Sequence, residues 1–283
     1  MAVLERLASS PHRPVLVITR PDRPRGRGRR VAPPPVAHAA RELGLELAQP
    51  ASVNDEETRA RISAAAPGAV CVCAFGALIK EPLLSDHWMV NVHPSLLPRW
   101  RGAAPIERAI MAGDNLTGVS IMRVSAGLDS GPVCVQESAP INPSDTYGTL
   151  APRLAALGGG LLVRALEESP LCEEQDDSLA SYAEKITTAD RELDPRRTAL
   201  ELERIVRALT PHVGARMALP DGSWLGIHQA RVLAQRDMGP GTLSLEGRRP
   251  VLGCAEGALE LAVVQPAGRR AMSGEEFLRG YRR

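Results

Sequence analysis

Two stretches of unbroken apolar residues, Val15–Thr19 (VLVIT) and Ala69–Ala74 (AVCVCA), stand out against the polar background of the first half of the chain. Continuous apolar runs of this length are the pattern of parallel strands covered on both faces. Between them, Val36–Leu43 carries apolar residues at helical spacing, and Tyr147–Leu166 is a longer amphipathic helix. Alternation of strand and helix predicts an α/β domain with a doubly wound, mostly parallel sheet, whose site lies at the carboxyl ends of its strands. Beyond Leu166 the pattern changes. Ser169–Asp177 is acidic, contains Pro170 and reads as a linker. A helix over Ala199–Leu209 then precedes short strands around Arg216–Leu219, Gly226–His228, Gly241–Leu243, Pro250–Cys254 and Leu259–Val264, punctuated by glycine and proline as in a small open barrel. The expected organisation is a first domain over residues 1–167, a linker over 168–182 and a second domain over 183–283.

The polar residues that interrupt this pattern carry the chemistry. If Val90–His93 ends a strand, alternation puts Asn91 and His93 side by side on one face, and Pro94 keeps His93 extended before the chain turns. Further along, Gly127-Leu-Asp129-Ser-Gly131 supplies a carboxylate. An amide, an imidazole and a carboxylate suffice for acyl transfer, which needs a donor for a developing oxyanion and a group that takes up a proton. Each piece alone has a plainer reading: Asn-x-His as a hydrogen-bonded strand end, Gly-Leu-Asp-Ser-Gly as an Asp-anchored turn. Ala74-Phe75-Gly76-Ala77-Leu78-Ile79 is either a strand-to-helix turn or a wall where Gly76 lets a flat ligand approach the backbone.

Charge sharpens the picture at one place. The 283 residues hold 34 Lys+Arg against 33 Asp+Glu, so basicity is local rather than general. It concentrates in Arg20–Arg30 (RPDRPRGRGRR), where six arginines stand among two prolines and two glycines. That composition excludes a regular helix and predicts a mobile loop, either merely solvated or made for phosphate contact. With two Phe, three Tyr and three Trp in the whole chain, base stacking on aromatic platforms is not expected to dominate any recognition.

Other classes are excluded by what the sequence does not contain. No Gly-x-Gly-x-x-Gly or Gly-Lys-Ser loop calls for a nicotinamide or nucleoside triphosphate, and no ligand spacing calls for a metal. The five cysteines, 71, 73, 134, 172 and 254, show no Cys-x-x-Cys spacing, and neither a metal nor a disulfide role is expected of them. Without a secretory signal or a long uncharged apolar run, the expectation is a cytoplasmic protein that spans no membrane.

The run Asn91–Ile106 (NVHPSLLPRWRGAAPI), followed by Gly113-Asp114, Thr117–Met122 and Gly127–Gly131, resembles the methionyl-tRNA formyltransferase family. Related folate-dependent enzymes acting on ribonucleotides or sugar nucleotides share the Asn, His and Asp but usually lack the extended Leu-Leu-Pro-Arg-Trp-Arg-Gly-Ala-Ala-Pro segment. The resemblance implies 10-formyltetrahydrofolate as formyl donor and initiator methionyl-tRNA as acceptor, with the chain taken as a monomer. By the same likeness Asn91 and His93 would polarise the formyl carbonyl, and Asp129 would orient His93 and help accept the amine proton. Phe75, Gly76, Ala77 and Leu78, with Ser95, Leu96, Leu97 and Pro98, would line the folate pocket. Arg27 would be the arginine that enters the acceptor end of the tRNA, flanked by Arg23, Arg25, Arg29 and Arg30, while Arg269 and Arg270 either touch the tRNA backbone or stand in a solvated loop. The second domain would be an open barrel of oligonucleotide-binding type. Two other readings are an amino-sugar nucleotide as acceptor and an inactive RNA-binding remnant.

The chain departs from the family at two points. Family members open with a strand ending in Gly-Thr, whereas Met1-Ala-Val-Leu-Glu-Arg-Leu7 already reads as the first helix; the expectation is that Met1 is an internal start and the natural product longer. Thr210–Ala215 also differs from the family's Asn-Pro-Trp-Pro-like segment.

Overall fold

The computed structural model describes residues 1–25 and 30–281, except for the side chains of Arg25 and Arg30. These fall into two compact units: Met1–Gly102, Gly118–Ala139 and Pro152–Tyr182 form the first, and Ala103–Thr117, Pro140–Ala151 and Ala183–Arg283 the second. In chain order the elements are α1 (Ala2–Ala8), β1 (Val17–Ile18), β2 (Arg23–Arg25), β3 (Arg30–Ala32), α2 (Pro35–Glu42), β4 (Leu47–Ala48), α3 (Glu56–Ala64), β5 (Val70–Cys73), α4 (Leu83–Asp86), β6 (Met89–His93), β7 (Arg101–Gly102), α5 (Pro105–Ala112), β8 (Leu116–Arg123), β9 (Val133–Pro140), α6 (Tyr147–Glu168), β10 (Tyr182–Ala183), α7 (Ala199–Leu209), β11 (Ala215–Ala218), β12 (Trp224–Leu233), β13 (Leu243–Ser244), β14 (Val251–Gly253), β15 (Ala258–Pro266), β16 (Met272–Ser273) and α8 (Gly274–Tyr281).

The first unit has the expected α/β class, but its sheet is mixed. β1 pairs β4 in parallel and β5 pairs β6 in parallel, whereas β8 runs antiparallel to β6, with Asn91 opposite Met122 and His93 opposite Ser120. The sheet order β5-β6-β8-β9 places β6 inside, which explains its burial on both sides of Asn91. The two apolar runs do not end up covered on both faces. β1 and β5 belong to separate sheets and line an open apolar groove of about 920 Å³. Val15 is exposed there, as are Cys71 and Cys73; the apolar wall desolvates the Cys71 thiol and, with Cys73 beside it, pushes it up to about 11. α6 lies close over the sheet because position 158 is glycine: a Cβ there would come within 2.7 Å of Val92 Cγ1. It is long and apolar enough to cross a membrane, yet Leu154, Leu161 and Leu162 are buried, as in a core helix.

Two expectations are corrected in this unit. The arginine-rich segment is not simply a loop: Arg23–Arg25 pairs antiparallel with Arg30–Ala32, and Gln49 steadies the hairpin base by donating to Asp22 Oδ1 (2.6 Å) and Arg20 O (3.1 Å). Extended geometry suits proline at position 24 and spreads the like charges that a helix would crowd. The cysteines are not all free, since Cys134 and Cys172 form a disulfide. Thirty-eight residues separate them in sequence, so no spacing rule announces the pair; backbone bonds between Val133 and Glu173 bring them together.

The second unit is β-rich. Its antiparallel sheet runs β11-β12-β15-β14-β13, with β16 on β15, and β11 and β13 are its ends, so it is open. α7 starts at a capping box, Thr198 Oγ1 accepting from Glu201 N and Glu201 accepting from Thr198 N. Its Leu202, Ile205, Val206 and Leu209 pack against Leu225, Ile227, Leu259 and Leu261 of the sheet. Arg108 on α5 pairs with Asp190 (2.7 Å). Burial works against the Asp190 charge, but the bonds from Arg108 and from Thr187 N–H and hydroxyl outweigh it and hold the carboxyl at about 2, below its ordinary 3.8. A carboxyl lowered in the folded state stabilises the fold above its unfolded value and ceases to do so as pH falls from about 4 to about 2. Solvent reaches the edge of the pair, so screening leaves about 1–2 kcal/mol. Asp190→Asn is therefore expected to lower stability by that amount at pH 7 and by much less at pH 2, as read by denaturant unfolding at both pH values.

Candidate active site

β6 delivers the first two groups. Asn91 and His93 are two residues apart on one face of the strand, and the imidazole is 4 % exposed. His93 Nε2 lies 2.8 Å from Trp100 O. A carbonyl only accepts, so Nε2 carries a ring proton, and Nδ1 faces Asp129, whose Oδ2 is 3.6 Å away. Too long for a hydrogen bond, that gap lets the carboxylate act on the ring as a charge.

Asp129 itself is held from two sides. Gly102 N donates to Oδ2 (2.9 Å) and Asn91 Nδ2 to Oδ1 (3.4 Å). Gly102 has φ +117°, a conformation open to glycine, and this aims its N–H at the carboxylate. Asn91, His93 and Asp129, picked from separate motifs, thus meet in one cluster in the first unit.

The loop after β6 is sewn to the sheet by residues that sequence reasoning did not single out. Ser120, fully buried, donates to Ser95 O (2.6 Å) and accepts from Leu97 N (3.1 Å) and Gln136 Nε2 (2.7 Å); Gln136 also donates to Leu97 O (3.0 Å). Ser95 spends its own hydroxyl on Arg99 O (2.6 Å) and Leu97 is buried, so Leu96 and Pro98 are the more open residues of the four. Phe75–Leu78 leaves β5 beside this loop, since Cys73 is in register with Val92. Phe75 is half-buried, Gly76, Ala77 and Leu78 are exposed, and a Cβ on Gly76 would meet nothing within 4 Å. That is open space for a flat ring.

A conserved-domain model described as "Formyl transferase" matches residues 1–166, and one described as "Formyl transferase, C-terminal domain" matches 185–282. Curated relatives named methionyl-tRNA formyltransferase include one from Methylococcus capsulatus, 42 % identical over 98 % of this chain and 92 % of its own, and one from Acidithiobacillus ferrooxidans, 43 % identical over 99 % and 91 %. The chain belongs to the methionyl-tRNA formyltransferase family. Solved structures of similar fold include an N-formyltransferase from Helicobacter canadensis solved with folinic acid and dTDP-3-aminofucose, with TM-score 0.68 at 16 % identity over 93 % of this chain and 94 % of that one. HypX from Aquifex aeolicus, solved with tetrahydrofolic acid, gives 0.62 at 17 % identity over 85 % and 43 %.

Of the arginines expected to serve this formyltransferase in tRNA contact, Arg23 is exposed on the hairpin. Arg27 and Arg29 lie outside the described residues, as do the side chains of Arg25 and Arg30. Arg269 and Arg270 are exposed in the turn after β15, where Arg269 N donates to Pro266 O and Arg269 O accepts from Gln265 Nε2. Among the described residues no group of three His, Cys, Asp or Glu could hold a metal ion.

Proposed function

We propose that this chain transfers the formyl group of 10-formyltetrahydrofolate to the amino group of methionine on initiator tRNA. One observation carries the chemistry: a single carboxylate, Asp129, is shared by Gly102 N, Asn91 Nδ2 and the Nδ1 side of His93. The acceptor is taken from the relatives, which match nearly the full chain at 40–43 % identity and carry that substrate in their names.

The bound folate supplies an activated formyl carbonyl. Asn91 has two amide hydrogens; one engages Asp129, and the second is the donor a developing oxyanion needs. His93 Nδ1, on the ring edge away from Trp100 O, takes the proton from the incoming amine. The imidazolium so formed stands beside Asp129, whose charge offsets it, and it returns the proton to the folate nitrogen that leaves as the original formyl C–N bond breaks. Phe75–Leu78, Leu96 and Pro98 line the donor side, with Ser95 and Leu97 supporting their loop from within. By the family resemblance, Arg23, Arg25, Arg27, Arg29 and Arg30 would supply guanidinium forks for tRNA phosphates, and the exposed Arg269 and Arg270 would add to them. Residues 1–167 are read as the catalytic domain, 168–182 as its connection and 183–283 as the tRNA-binding domain.

The deciding assay follows labelled formyl from 10-formyltetrahydrofolate to charged initiator methionyl-tRNA, with an amino-sugar nucleotide as competing acceptor. Formylated tRNA is the expected product. Label appearing only on the sugar would move the acceptor assignment to the amino-sugar nucleotide, and label on neither would leave the inactive remnant.

A further inference from the structure

Cys172-Glu-Glu-Gln-Asp-Asp177 has the composition of a solvated linker, yet the structure fastens it to the catalytic cluster. The Cys134–Cys172 disulfide and paired bonds between Val133 and Glu173 (2.8 and 2.9 Å) fix its start. Gln175 then reaches inward. Its Nε2 donates to Asp129 O (2.9 Å) and to Gly131 O (2.7 Å), while its Oε1 accepts from Arg101 Nε (3.0 Å). Arg101 is 3 % exposed and is held in turn by Asp177 Oδ1 (2.8 Å). Because a guanidinium only donates, Arg101 decides which way the Gln175 amide faces and sends both amide hydrogens toward the two carbonyls.

Those carbonyls belong to a strained turn. Asp129 has φ +46°, the left-handed region that costs an L-residue roughly 1–2 kcal/mol, so its geometry must be imposed from outside. Gln175 bonds the carbonyl of that very residue. On the other side, Arg101 is the chain neighbour of Gly102, whose N–H meets the Asp129 carboxylate. One amide therefore bridges the two backbone segments whose separation sets where the carboxylate stands against His93.

We propose that Gln175 is a positioning residue for formyl transfer, acting through Asp129 and oriented by Arg101. The proposal rests on the role given to Asp129 above. A displacement of about 1 Å in a catalytic group can cost about 100-fold in rate, so the effect belongs in turnover rather than in substrate binding.

The test uses the full chain and steady-state formylation of methionyl-tRNA. Gln175→Glu is nearly isosteric and keeps a partner for Arg101, but cannot donate to the carbonyls; Gln175→Ala removes all three bonds. Both are expected to lower kcat by roughly 30- to 100-fold, with KM for folate and tRNA changed by less than about 3-fold. On an Asp129→Asn background the same changes are expected to cost less than about 3-fold more, because their route is already cut. Near-native kcat in both variants overturns the proposal, as does a loss confined to KM or one that persists undiminished on the Asp129→Asn background. An active Asp129→Asn single variant sinks the reading of the site and this proposal with it, whereas an inactive one beside native-like Gln175 variants sinks the proposal alone.

Discussion

Asp129→Ala is expected to lower kcat for methionyl-tRNA formylation by about 1,000- to 10,000-fold, the upper range of what a group in proton transfer contributes. Three contacts end on this carboxylate. Gly102 N and Asn91 Nδ2 lose an acceptor, and the imidazolium of His93 loses the charge that offsets it. Asp129→Asn separates these effects, since the carboxamide oxygen can still accept from Gly102 N while the negative charge is gone. If charge is what matters, Asn is nearly as damaged as Ala. Recovery of most of the rate in Asn would instead sink the reading of the site. Stability distinguishes both from unfolding: the part-buried Gly102 N–H left without its acceptor costs about 1 kcal/mol, so Asp129→Ala should unfold at lower denaturant than Asp129→Asn while both remain folded at 25 °C. Wild-type turnover in either variant, measured with labelled formyl donor under saturating substrates, would remove Asp129 from the chemistry.

How this site was legible beforehand depends on the range of each contact. Asn91 and His93 could be placed together because strand alternation is a local rule, and Asp129 because its glycine-flanked motif accompanies theirs in a known family. What fixes them in space is not local. Gln175 reaches Asp129 across 46 residues and Arg101 reaches Asp177 across 76, and nothing in an acidic, proline-containing stretch distinguishes an amide that points inward from one that points at water. Ser120 and Gln136 are similarly silent: each reads as an ordinary polar position on a strand, and each becomes informative only when the loop at Leu97 folds onto it. Gly102 carried a signal that could have been used, a glycine after three bulky residues where a left-handed turn requires one.

The fold divides along the same line. Class followed from periodicity, because apolar runs and helical spacing are local signatures of α/β structure. The antiparallel entry of β8 beside β6 did not, since an alternating or apolar strand reads the same in either direction. Exposure of Val15, Cys71 and Cys73 is not set by their own composition, because whether an apolar strand is covered depends on which elements pack on it. The arginine hairpin was misread for a related reason: charge and proline rule out a helix, but they do not distinguish a free loop from two short strands that hold each other.

Asn91→Ala is expected to lower kcat and kcat/KM together by about 100- to 1,000-fold, the usual cost of removing one oxyanion donor. The equality of the two losses is the informative part. A donor that engages the formyl oxygen only as charge develops contributes nothing to ground-state binding, so KM for the folate should stay within about 2-fold of wild type. Asn91 also steadies Asp129 through its 3.4 Å bond, but Gly102 N holds the carboxylate more closely at 2.9 Å, so its position should largely survive the substitution. The two variants therefore have different partners in a double-mutant cycle. Gln175→Ala should remain costly beside Asn91→Ala, since Asp129 is still present to be misplaced, but should cost little beside Asp129→Asn. A rise in folate KM with unchanged kcat would instead make Asn91 a ground-state contact and leave His93 and Asp129 to carry the transition state between them.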